Sequence, residues 1–241
     1  MSVVYSLKHV VKERLVGDVG FRLVVPNLQI KAQEHVALVG HSGCGKSTLM
    51  DMLALILHPD RCGSFNVSPV GAQTSNIEAL WQHRKQSELS EIRKHHIGYV
   101  LQSGGLLPYL TVRENIELPR KLLNLADDDS IDSISRVLGI QRQLDKLPGL
   151  LSAGERQRAA FARALSHRPS ILLADEPTAA LDPITAKKIM AVVMELIKGL
   201  KITLITASHD WAHVYKMELR TLRQKAGPVE NGKIYQSSFN D

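Results

Sequence analysis

The stretch GHSGCGKST, Gly40 to Thr48, most constrains this 241-residue chain: it directly follows the apolar run Val36-Ala37-Leu38-Val39 and carries few side chains beyond one cation and some hydroxyls. Glycine reaches the positive-φ conformations that turn successive amides toward one point and let a ligand approach the main chain. A helix predicted to follow, from Ser47 to Leu57, adds unpaired N-terminal amides and the positive end of its dipole. The sequence therefore predicts a cradle for an anion. Gly40 to Ser47 fits G-x-x-x-x-G-K-[ST] at every fixed position, which assigns a phosphate chain to the loop, Lys46 to the β- and γ-phosphates and Ser47 to Mg²⁺. The candidate nucleotide-binding residues are Gly40, Ser42, Gly43, Cys44, Gly45, Lys46, Ser47 and Thr48.

With 44% hydrophobic residues the chain can bury a sizeable core, as one α/β domain or as a domain with a subdomain inserted in it. Its net charge of +6 suits an anionic ligand, a membrane face or nucleic acid. Aromatics are only 5% and no basic run interleaves with them, so no dedicated nucleic-acid site is expected. Cys44 and Cys62 make no disulfide framework, and a reduced thiol inside the phosphate loop favours the cytoplasm. Asp51 and Glu195 interrupt the longest apolar stretches before they reach the roughly 18 residues of a membrane span. Lys8, Lys12, Glu13 and Arg14 argue against a signal peptide. Work on a membrane would need another chain to cross it.

Three apolar runs, HVALVG, SILLADE and ITLITASH, are short and do not alternate, as strands covered on both faces should be. They predict a parallel core. Strand-like stretches before them, punctuated at Gly17, Gly20 and Pro26, predict an N-terminal antiparallel sheet. From Gly105 to Pro169 the pattern turns helical, with Leu122, Leu125, Ile131, Ile134, Val137 and Leu138 on apolar faces. The segment from His58 to Gln86 mixes turn residues with a helical start near Ile77 and reads as a surface excursion. A short helix from Asp210 and a hairpin turning at Asn231-Gly232 complete the reading.

A phosphate-binding fold that hydrolyses nucleotide needs a carboxylate for Mg²⁺ and a polar group to position water. Asp175 and Glu176 end the run ILLADE, at the edge of a strand where α/β ligand sites lie. Asp175 is assigned to the Mg²⁺ shell and Glu176 to the general base. Two further strands end in polar groups, at Gln102 and His209, each suited to reach a γ-phosphate or the attacking water.

The phosphate loop, Gln102, LSAGERQR at Leu151 to Arg158, ILLADE, AALD at Ala179 to Asp182, and His209 occur in the order and spacing of ABC-type ATPase subunits, which the chain resembles over nearly its whole length. The resemblance implies a P-loop NTPase fold with a parallel core sheet, an N-terminal antiparallel β subdomain and an inserted helical signature subdomain, residues 103–168 of a single domain 1–241. It implies ATP and Mg²⁺, the latter held by Ser47, Gln102 and Asp175, with Glu176, His209 and Gln102 catalytic. It also implies that two subunits, this chain and a second copy, close head to tail, each ATP meeting the other's signature motif through Ser152, Gly154 and Glu155. Ser152 with Glu155 equally makes a helix capping box, and both readings can hold together. Asp182 would lie across the dimer seam. The segment IGYVLQSGGLLPYLTVRENIELP resembles the branch that drives lipoprotein release and macrolide efflux, so transmembrane permease chains in trans and a place on the inner membrane face are implied.

Two departures stand out. Ala153 replaces the first glycine of the signature pair and, by disfavouring positive φ, is expected to loosen the closed site. Arg14 occupies the position of the family's adenine-stacking aromatic; a guanidinium stack, or Phe21 in its place, is expected to hold the base. The competing readings are a soluble ABC-type ATPase in nucleic-acid work and a nucleotide-gated regulatory module with little turnover.

Overall fold

The structure, a computed structural model, describes every residue except 1, 17, 18, 127, 209–218, 230–233 and 241. In chain order its strands are β1 (Val3–Val16), β2 (Val19–Lys31), β3 (His35–Val39), β4 (Ser64–Val67), β5 (Ser75–Asn76), β6 (Ile97–Val100), β7 (Ile171–Asp175), β8 (Thr203–Ser208), β9 (Arg220–Arg223), β10 (Lys225–Val229) and β11 (Ile234–Ser238). The helices are α1 (Lys46–Leu53), α2 (Ile77–Gln82), α3 (Gln86–His96), α4 (Val112–Leu122), α5 (Ser130–Val137), α6 (Ala153–Leu165) and α7 (Pro183–Gly199). The chain divides into two compact units, Met1–Glu91 with Ile205–Asp241, and Ile92–Leu204.

In the first unit a six-stranded sheet runs β10-β11-β2-β1-β4-β5. β1 and β2 pair antiparallel, and along β2 Leu23, Val25, Leu28 and Ile30 are buried while Asn27, Gln29 and Lys31 face out. The buried Tyr5 hydroxyl donates to the Leu53 carbonyl at 2.8 Å, tying this sheet to the end of α1. In the same unit β3, buried at four successive positions from Val36 to Val39, pairs in parallel with β9. Such a strand must be covered on both faces.

The segment from His58 to Gln86 is not a surface excursion. β4 pairs with β1 through Tyr5↔Val67 and Leu7↔Phe65, and Phe65, Val67 and Ile77 are fully buried. Phe65 meets Trp81 edge to face at 5.5 Å between centroids. Two alternating apolar residues among turn formers are enough once a partner strand supplies the other side, and that partner lies far away in sequence. Replacing Phe65 with alanine is expected to lower stability by about 3–5 kcal/mol, read as a shifted urea midpoint at unchanged slope. α2 does begin at Ile77, where the Asn76 side chain accepts from the Ala79 amide at 3.0 Å.

The predicted first helix stops at Leu53 rather than Leu57, since Leu55 turns to φ 58°. The predicted helix from Asp210 and the turn at Asn231-Gly232 lie outside the described residues, although the flanking β10 and β11 pair antiparallel.

In the second unit β6 and β7 pair in parallel from Ile97↔Ile171 to Val100↔Ala174, and all of β7 is buried. α6 lies close on β6: a Cβ at Gly98 would fall 2.2 Å from the Ala164 carbonyl oxygen. On α5 and just beyond it, Ile131, Ile134 and Leu138 form the buried stripe. Leu122, Leu125 and Val137 do not belong to apolar faces as expected; they are 61%, 43% and 51% exposed. Val137 lies off the 131-134-138 spacing, while Leu122 ends α4 and Leu125 follows it.

Candidate functional site

The phosphate loop closes on its own lysine. The Lys46 ammonium donates to the Gly40 carbonyl at 2.9 Å and the His41 carbonyl at 3.0 Å, with Cys44 Sγ at 4.0 Å, and the side chain is buried. Gly43 and Gly45 adopt φ 77° and 93°, in the region that favours glycine. Gly45 is the N-cap of α1 and supplies no side-chain cap, and the first turn of the helix holds no acid. Its amides therefore present a positive end suited to an anion. A Cβ at Gly40 would lie 2.6 Å from Cys44 Sγ and 2.8 Å from Gln224 Oε1, so no side chain fits there. Ser42, Gly43 and Ser47 are exposed, whereas Cys44 and Thr48 are buried.

Arg14 is exposed on β1 and pairs across the strands with Phe21 of β2. Phe21 lies against the loop: a Cβ on Gly45 would come 2.7 Å from Phe21 Cζ. The structure thus places the alternative aromatic beside the phosphate loop and the arginine beside the aromatic.

The second unit carries the carboxylates. Asp175 is the last residue of β7 and is 6% exposed. Glu176 follows at φ 44°, a left-handed conformation that costs a non-glycine residue about 1–2 kcal/mol. That turn, rather than strand alternation, aims its side chain, and Gln102 Nε2 donates to Glu176 Oε2 at 3.4 Å. His209, the remaining catalytic candidate, lies outside the described residues.

The signature segment opens α6. Ser152 is its N-cap: the Oγ accepts from the Glu155 amide at 3.3 Å and donates to Glu155 Oε2 at 2.7 Å, while the Ser152 amide donates to the same oxygen at 2.8 Å. These bonds from Ser152, the backbone one foremost, hold the Glu155 carboxyl below the usual range. Gln143, in a 3-10 turn earlier in the chain, adds a third bond to the carboxylate at 2.8 Å, a partner that no local spacing reveals. Ala153 sits in the first helical turn, and neither it nor Gly154 has positive φ. The expected loosening therefore has no backbone cause: alanine suits a helical position better than glycine. Gly154 is needed for closeness, as a Cβ there would lie 3.2 Å from Thr185 Cγ2 on α7. Asp182 caps α7, accepting from the Ile184 and Thr185 amides at 3.1 and 3.0 Å. Bonds from Thr185 first, then Ile184, lower its pKa.

Residues 24–179 match the ABC transporter family. The chain belongs to the ABC transporter family. An ABC cassette of this kind is an ATPase whose hydrolysis of ATP is coupled to transport. The cassette is 37% identical over 206 residues to the lipoprotein-releasing system ATP-binding protein LolD 2 of Rhodopseudomonas palustris, covering 84% of each chain. It is 40% identical over 237 residues to the macrolide export ATP-binding/permease protein MacB of Rhodopirellula baltica, which covers 95% of this cassette but only 32% of that protein. The cassette thus spans about a third of that relative. Among solved structures it resembles the dimeric post-hydrolysis state of the ATP-binding cassette MJ0796 bound to ADP and Pi, with TM-score 0.77 and 28% identity over 95% of both chains. Among the described residues, no helix is long and apolar enough to cross a membrane.

Proposed function

We propose that this cassette is the energising subunit of an export or lipoprotein-release system, dimerising with a second copy on ATP and driving a separate transmembrane permease from the inner membrane face. The observation that carries this reading is the loop folded around Lys46 and opening on the uncapped start of α1, joined to LolD similarity along 84% of both chains. On this reading residues 1–241 work as one cassette whose helical insertion, 103–168, carries the signature motif.

The loop amides and Lys46 bind the β- and γ-phosphates. Glu176 accepts the proton of the attacking water while Gln102 and His209 orient that water and the γ-phosphate. Ser152, Gly154 and Glu155 meet the ATP of the opposite subunit, and Asp182 lies at the seam. The Ser47 hydroxyl, Asp175 carboxylate and Gln102 amide are hard oxygen donors of the kind Mg²⁺ takes. The Gln102 bond to Glu176 uses Nε2 and leaves Oε1 as the atom for a cation. Mg²⁺ would supply neutralisation of the triphosphate charge.

Purifying the tagged chain from detergent-solubilised native membranes tests the assignment. A membrane-spanning protein is expected to co-elute and to raise phosphate release by the cassette. A preparation that hydrolyses ATP without any such partner would turn the reading toward soluble work.

A further inference from the structure

The start of α6 is held from two sides. Both bonds that Ser152 donates fall on one oxygen of the Glu155 carboxylate: Oε2 accepts the amide at 2.8 Å and the hydroxyl at 2.7 Å. The other oxygen, Oε1, accepts Nε2 of the half-buried Gln143 at 2.8 Å. A capping box needs only the first set. The added donor comes from a different part of the chain, and a carboxylate bonded through both oxygens to two elements can no longer turn about its last torsion, which is otherwise broad.

Gln143 is itself held through the backbone. It ends the 3-10 turn Gln141–Gln143, and the residues after it give their carbonyls to α4: Leu144 accepts the Arg113 amide and Lys146 the Val112 amide, each at 2.9 Å. Those amides belong to the first turn of α4, where a helix has no partners of its own. Leu144 is buried and seats the loop. Gln143 therefore joins the start of α4 to the start of α6.

Ser152 is exposed, and its hydroxyl has a single proton to give. An ionised carboxylate only accepts, so that proton goes to Glu155 Oε2, while the hydroxyl oxygen accepts the Glu155 amide at 3.3 Å. An ionised phosphate oxygen also only accepts, and serving one requires the hydroxyl to turn its proton away from Glu155. The carboxylate then loses one of its three side donors and keeps the Ser152 amide and Gln143. Without Gln143 it would keep the amide alone, and a carboxylate short of donors competes with a polyphosphate for the same hydroxyl.

We propose that Gln143 is a positioning residue for the ATP held between two subunits: by fixing the Glu155 carboxylate, it frees the Ser152 hydroxyl to serve the phosphate of the opposite subunit's nucleotide. The inference rests on the reading that two copies close on ATP through Ser152. It adds a residue from outside the signature segment, one that acts through Glu155 rather than on the nucleotide.

The test uses the full chain carrying Glu176→Gln, in which ATP is expected to stay unhydrolysed and hold the dimer, and adds Gln143→Ala, Gln143→Glu or Gln143→Arg. Light scattering over a dilution series in ATP gives the dimer dissociation constant, and binding of labelled ATP at dilutions where the chain is single gives its own Kd. Gln143→Ala is expected to raise the dimer constant about tenfold, on the scale of one charge-assisted hydrogen bond, and to leave the single chain's Kd within about twofold. Gln143→Glu keeps the size and sets a second anion against Glu155, so it is expected to raise the constant at least as much. Gln143→Arg supplies a donor again and is expected to return it to within about threefold. A side chain that served stability alone would lower the unfolding midpoint without moving the dimer constant of the folded chain. The proposal is overturned if either Gln143→Ala or Gln143→Glu dimerises as the parent does, or if Gln143→Arg fails to restore the constant; the glutamate variant decides the matter should the alanine variant not fold. A parent that stays a single chain in ATP overturns the dimer reading instead, so the two failures are distinguishable.

Discussion

Replacing Lys46 with alanine is expected to weaken ATP binding about 10- to 100-fold and to cut turnover by a further factor of about 10²–10³. The ammonium is buried and held by the Gly40 and His41 carbonyls, so it is fixed within the loop before any ligand arrives. A fixed cation is worth more to a developing charge than a mobile one, because no reorganisation is needed at the moment of reaction. Its removal also strips a donor from two loop carbonyls, so the remaining cradle should be less ordered as well as less positive. Lys46→Arg separates these effects: the charge remains, but a planar guanidinium cannot reproduce the compact ammonium bound by both carbonyls. Calorimetric titration with ATP and a phosphate-release assay read the two losses separately. Unchanged ATP use in Lys46→Ala would sink the functional reading.

Glu176→Gln is expected to keep ATP binding within about threefold while lowering turnover by about 10²–10⁴. The amide keeps the size of the carboxylate and can still meet Gln102, but it cannot take a proton from water. ATP should then accumulate unhydrolysed, and light scattering after gel filtration should find twice the chain mass in ATP and a single chain mass without it. The backbone offers a second variant. Since Glu176 sits at φ 44°, Glu176→Gly removes the carboxylate and the conformational cost together, so the protein should gain about 1 kcal/mol of stability while losing activity. Glutamine turnover equal to that of the native chain would remove Glu176 from the role of base.

Much of the candidate site is legible in local spacing. The phosphate loop announces itself because its chemistry depends on glycines at fixed intervals, and the Ser152–Glu155 capping box because both partners lie within one turn of helix. The carboxylates stand out because a strand buried along its whole length rarely ends in two acids. What escaped is what depends on distant chain. Phe65 and Val67 are too short a run to read as a strand until β1 lies alongside, and Gln143 reaches Glu155 only after the preceding loop folds back. Ala153 differs for another reason: the expectation of positive φ at this position fails because Ser152 caps one residue earlier and leaves alanine in the helix. The left-handed turn at Glu176 has no local sequence signal, since glutamate is not a residue that seeks it.

The pairing of β11 with β2 has a consequence for the order in which the protein matures. β2 and the phosphate loop leave the ribosome early, but the parallel register that sets Tyr235 beside Phe21 can form only after β11 has been made. Until then one edge of β2 lacks its final partner, and an unpaired edge invites pairing with other chains. β3, which leads into the phosphate loop, waits in the same way for β9, so the support of the anion cradle and the edge of β2 would both be completed among the last events of synthesis.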